Sequence, residues 1–97
     1  MKKQVITDFD VFYDAVLTLK NKEECTAFFN DVCTIQELEA LAQRMDVAIR
    51  LKNGESYIDV NKNTGASTAT ISRVSKCLNY GDGGYSIVID SMVDKND

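Results

Sequence analysis

The sequence predicts an all-α protein of about six short helices, and three observations predict it. Apolar side chains recur at intervals of three and four along most of the chain, the spacing of a single helix face. Hydroxyl, amide and acidic residues precede several of those runs and glycines follow them, where helices need caps and stops. No stretch alternates apolar and polar residues as a half-buried strand would. With 97 residues there is room for one domain and not two.

The first helix spans Asp8 to Lys20, with Phe9, Phe12, Val16 and Leu19 on one face and Asp10, Asp14 and Thr18 between them. A second runs from Lys22 to Val32, with Asn21 as N-cap, Glu23 and Glu24 in the first turn, and Phe28 and Phe29 as bulk. Phe9, Phe12, Tyr13, Phe28 and Phe29 hold more apolar surface than two short helices can bury against each other, which points to a partner chain. Thr34 and Glu37 form a capping box that opens the longest helix, and Leu38, Leu41, Ala42, Met45, Ala48, Ile49 and Leu51 give it a continuous buried stripe. Asn53-Gly54 ends that helix. Ser56 with Asp59 starts a short one reaching about Asn63, Gly65 breaks it, and Ser67 caps another reaching about Leu78. The segment from Asn79 to Gly84 reads as a flexible turn, and Tyr85, Val88, Ile89, Met92 and Val93 make a closing helix.

Composition excludes several function classes. The longest apolar runs fall far short of the roughly 20 residues a bilayer span needs, and no signal-peptide core follows Met1-Lys2-Lys3-Gln4, so a soluble cytoplasmic protein is expected. Cys25, Cys33 and Cys77 have no CxxC spacing and the chain has no histidine, so no metal site is expected and the cysteines read as small, mostly buried thiols. The same lack of histidine removes the commonest acid/base and the usual partner of a nucleophile; no enzyme is expected. The Gly81-Asp82-Gly83-Gly84 run lacks the lysine of a phosphate loop, and Asp90, Asp94 and Asp97 read as a solvated acidic end.

The net charge of -4 hides a segregated distribution. Residues 1–43 carry four lysines against eight acids and residues 81–97 one lysine against four, whereas residues 44–80 carry six basic groups against three acids, a local +3. Within that basic stretch, two short helices joined by a glycine turn and a second helix opening on a hydroxyl cap make the layout of a helix-turn-helix over residues 56–78. Val60, Ala66, Ile71 and Val74 fall on inward positions. The outward face of the second helix carries Thr68, Ala69, Thr70, Ser72, Arg73 and Lys76; the short hydroxyl and methyl groups suit entry into a major groove. Ser56, Ser67, Lys62, Arg73 and Lys76 are the candidates for phosphate. The competing function class is an all-helical protein-protein interaction module.

The run Cys33 to Leu41 and the motif Gly65-Ala66-Ser67-Thr68-Ala69-Thr70-Ile71-Ser72-Arg73 resemble the corresponding segments of the trp-repressor family, over about residues 28–93. Cys77-Leu78-Asn79-Tyr80-Gly81 with Gly83-Gly84-Tyr85 resembles its trp-repressor-related branch of the YerC/YecD type. The resemblance implies an intertwined homodimer, with residues 8–54 and 85–95 as dimerisation helices and 56–78 as the reading head of a single domain, 1–97. It further implies a bacterial transcriptional regulator, a repressor by analogy, that binds double-stranded DNA at a palindromic operator. In that family two arginines sandwich tryptophan, and Arg44 and Arg73 match them. Val74 stands in place of a glycine and Cys77 in place of a serine, a bulkier and a more weakly hydrogen-bonding residue, so tryptophan is not expected to bind and no cofactor is implied. The favoured reading of Arg44 is a surface arginine paired with Asp46, Glu39 or a phosphate.

Overall fold

The computed structural model describes residues 5–95, and these contain six helices and no strand: α1 (Phe9–Leu17), α2 (Lys22–Val32), α3 (Ile35–Lys52), α4 (Tyr57–Thr64), α5 (Thr68–Tyr80) and α6 (Gly84–Lys95). The expectations placed on Met1-Gln4 and on Asp97 lie outside these residues. The chain divides after Thr34 into two compact units. None of the described helices is long and apolar enough to cross a membrane.

The first unit holds α1 and α2. Asp8 caps α1 by accepting the Val11 N–H at 3.2 Å, and α1 stops short of the expected Lys20 because Thr18 turns back on it, both its N–H and its hydroxyl donating to the Ala15 carbonyl. Asn21 caps α2 by accepting the Glu24 N–H, while the Glu24 carboxylate reaches back to the Lys20 N–H at 2.9 Å. Two orphan donors are thus satisfied in a reciprocal box. Phe12 and Phe28 approach to 6.1 Å between ring centroids and Phe28 and Phe29 to 5.2 Å edge to face, so α1 and α2 meet through aromatics. No residue of either helix is fully buried, and Leu17 remains 81% exposed.

The second unit holds α3 to α6 around a core of Val47, Ala48, Val60, Ala66, Ile71, Val74 and Ile89, with Met45, Ile49, Leu51, Leu78 and Tyr85 packed against it. The four inward positions expected for the helix-turn-helix are all among the buried seven. The expected stripe of α3 needs correction. Only its C-terminal half enters the core: Leu41 and Ala42 are exposed, Leu38 is half-buried, and Val47, outside the expected stripe, is completely buried. Helices α4, α5 and α6 all pack on α3, so the covered arc there is wider than one stripe and takes in positions 47 and 48 together.

The thiols also need correction: Cys25 and Cys33 are half-buried and Cys77 is exposed. Cys77 lies three residues beyond Val74 and off the line that Ile71 and Val74 turn inward, and a core of seven residues leaves little interior to occupy. Asp90, expected to be merely solvated, pairs with Lys52 at 3.3 Å and links α6 to the end of α3. Helix α5 runs on through Asn79 and Tyr80, which were expected in the turn, and stops at Gly81, whose N–H donates to the Cys77 carbonyl at 2.9 Å. A Cβ at Gly81 would collide with that same carbonyl oxygen, so the corner into α6 admits no side chain at this position.

Candidate nucleic-acid interface

The α4-turn-α5 unit is built from local bonds that the sequence dictates step by step. Ser56 caps α4 by accepting the Asp59 N–H at 3.2 Å, and Gly65 closes it in the left-handed region at φ 74, its N–H donating to the Asn61 carbonyl. Thr64 donates its hydroxyl to the Val60 carbonyl and accepts the Ala66 N–H at 3.1 Å, while the Asn61 side-chain amide donates to the Ala66 carbonyl at 2.7 Å. Both polar groups of Ala66 are thereby satisfied, which lets this residue sink into the core at the helix crossing. Ser67 then caps α5: it accepts the Thr70 N–H and donates to the Thr70 hydroxyl oxygen, both at 3.1 Å.

The expected reading face is open to solvent. Thr68, Ala69, Ser72, Arg73 and Lys76 of α5 are exposed, as are Ser67 and, at the α4 end, Ser56 and Lys62; Thr70 alone is half-buried, drawn toward Ser67. The Ser67 hydroxyl is occupied as both donor and acceptor, so an anion at this end of α5 would meet backbone N–H groups.

Electrostatics divides five of the six basic groups of residues 44–80, all but Arg44, into two sets. Arg50 binds Asp46 at 3.1 Å and Glu55 at 3.3 Å, and the hydrogen bond to Asp46, followed by the attraction of both carboxylates, raises its pKa above the usual arginine value. Asn63 adds a 2.6 Å bond to Glu55. Lys52 is paired with Asp90. Among the described residues no ion pair involves Lys62, Arg73 or Lys76, the three cations of the helix-turn-helix. Asp46, expected beside Arg44, goes to Arg50 because residues four apart on a helix face each other and residues two apart do not.

The three candidate effector residues, Arg44, Arg73 and Cys77, lie on two helices of the second unit. Arg44 is half-buried on α3 and Arg73 exposed on α5, whereas Cys77 lines an apolar groove of about 470 Å³ with Met45, Tyr85, Val88 and the Gly81-Gly84 corner. Neither arginine lines that groove. Sequence reasoning missed Asn61 and Thr64, the two locks of the turn, and the Arg50-Glu55-Asn63 network. The available signal was two polar residues in the last turn of α4, just before the Gly65 break.

The chain is similar to known proteins over most of its length. The family model described as Trp repressor protein matches residues 7–93. The uncharacterized protein YerC of Bacillus subtilis strain 168 is 49% identical over 85 residues, spanning 88% of this chain and 82% of that protein. A crystal structure of a Trp repressor-like protein from Staphylococcus aureus superposes with a TM-score of 0.84 at 46% identity, covering 87% of this chain and 84% of that one. A TrpR-like protein from Eubacterium eligens ATCC 27750 gives 0.83 at 47% identity, covering 86% of each.

Proposed function

We propose, from the premise that this chain belongs to the Trp repressor protein family, that it regulates transcription by binding double-stranded DNA sequence-specifically as a homodimer. The observation that carries this reading is the division of charges: Arg50 and Lys52 are neutralised by acids, while Lys62, Arg73 and Lys76 stand beside the exposed small side chains of α5. Free cations around short hydroxyl and methyl groups suit phosphates flanking base edges. Thr68, Ala69, Thr70 and Ser72 read bases, and Ser56, Lys62, Ser67, Arg73 and Lys76 hold the backbone.

Dimerisation is supported by apolar surface without cover in the single chain. Phe9, Val11, Tyr13 and Leu17 on α1 and Ile87, Met92 and Val93 on α6 are all exposed, more than an isolated small protein tolerates. A two-fold pair of reading heads matches a palindromic operator, with repression as the mode of action and the cytoplasm as its place. An effector site formed by Arg44, Arg73 and Cys77 is not needed for this binding.

The test is a titration of binding to random duplex DNA against salt, with sedimentation equilibrium on the free protein. Counterion release gives a steep linear fall of log K with log salt, and the sedimenting mass is twice 10.8 kDa. Flat salt dependence or a stable monomer sinks the reading in favour of a protein-interaction module.

A further inference from the structure

Ile58 is the most exposed aliphatic side chain of the helix-turn-helix, 80% open on the first turn of α4, while Val60, Ile71 and Val74 are buried. A β-branched residue on a solvated helix face is a poor choice for helix propensity and contributes nothing to the core. Its position shows what it faces. Ile58 and Lys62 stand four residues apart on α4 and share a face. Ile58 also lines a shallow hollow of about 250 Å³ together with Tyr57, Asn61, Thr68 and Ile71. Thr68 is the first residue of α5 and part of the reading face. One amide hydrogen of Asn61 in that hollow is already given to the Ala66 carbonyl, and the walls of the hollow are more apolar than polar.

We infer that Ile58, backed by Thr68, reads the C5-methyl group of a thymine at the edge of the binding site; this rests on the DNA-binding reading above. Ile58 has no group that can bond a phosphate or a base edge. Of the groups displayed in the major groove, the thymine methyl is the one an aliphatic side chain can bury with gain. A cation on the same face argues for a polyanion as the occupant of this surface, since Lys62 would have to lose water against an apolar protein partner with no charge to replace it.

The experiment uses the full chain and duplexes enriched by it from a random pool. Each thymine is replaced singly by deoxyuridine, which lacks only the methyl group. The parent loses about three- to fourfold in affinity at one thymine in each half-site, the worth of one buried methyl. Ile58→Ser binds the unmodified duplex weaker by a similar factor and gains no further loss from the deoxyuridine, so the two changes are non-additive. Its salt slope and melting temperature match the parent's, as an exposed uncharged side chain requires. Equal sensitivity of parent and Ile58→Ser to deoxyuridine at every position overturns the inference while leaving DNA binding intact. Loss of the dimer in sedimentation of Ile58→Ser overturns it too, in favour of a subunit contact. Absence of salt-dependent enrichment by the parent overturns the DNA reading itself, and this inference with it.

Discussion

The side-chain amide of Asn61 donates to the backbone carbonyl of Ala66 across five residues at 2.7 Å, and so holds the end of α4 to the entry of α5. Ala66 is buried with a small side chain, its carbonyl is partly shielded from water, and no backbone donor serves it in the turn. The bond therefore sets the angle at which the two helices meet.

Asn61→Asp keeps the shape of the side chain and removes the donor. Facing a carbonyl with a carboxylate oxygen leaves a shielded acceptor unsatisfied, at a cost of about 1–3 kcal/mol. Thermal or urea denaturation of the variant measures this; an unchanged stability refutes the role given to the bond.

Gly65→Ala separates backbone strain from crowding. A Cβ at Gly65 meets nothing within 4 Å, so the loss reflects only the left-handed backbone at φ 74, about 1–2 kcal/mol. Gly65→Asn should lose less, since asparagine enters that region more readily. Equal losses for both would mean that the turn rearranges.

Lys76→Ala and Arg50→Gln test the two sets of cations against each other. Lys76 has no acidic partner among the described residues, and its loss should weaken binding to all duplexes alike and lower the salt slope by about one unit. Arg50 is already neutralised by Asp46 and Glu55, and Arg50→Gln should leave the slope unchanged. Reversed outcomes would move the DNA contact to α3.

L-Tryptophan at millimolar concentration should neither raise the melting temperature nor tighten DNA binding. Val74 is buried in the core and Cys77 faces an apolar groove that neither Arg44 nor Arg73 lines. A ligand preferring the native state must shift both quantities together. A tryptophan-dependent rise in either restores the pocket.

Ile71→Asp places a carboxylate at a position that is 1% exposed, between α4 and α5. Burying it without a partner should unfold the second unit or drive its pKa upward, and either way binding fails for a structural reason. A folded variant with parental stability would mean that position 71 is not interior.

The helix-turn-helix was the most legible part of the sequence because its signals are local. Ser56, Gly65 and Ser67 each determine a cap within four residues of themselves, and Val60, Ala66, Ile71 and Val74 follow directly from the spacing those caps impose. What escaped depends on how many neighbours a helix has. Val47 is buried because three helices cover the end of α3, and Cys77 is exposed because it lines an open groove beside α3 and α6 and not the packed core; neither fact is contained in the period of a single helix. Of the site, the exposed cations and small residues were legible as types. Which of the six basic groups were already paired was not, since Arg50 had two acids within reach and Lys52 found its partner on α6.

The missing side chain at Gly81 has a mechanical meaning. Because only hydrogen fits against the Cys77 carbonyl, Gly81 ends α5 at a set count of residues from the Ser67 cap, and α6 departs from there. One residue inserted into α5 would swing that departure by about 100° around the helix axis. The reading face and α6 thus behave like two hands on one shaft, and any two-fold mate docked on α6 would inherit the phase of the first copy. In the proposed dimer, the spacing of the two reading heads would then depend partly on the length of α5.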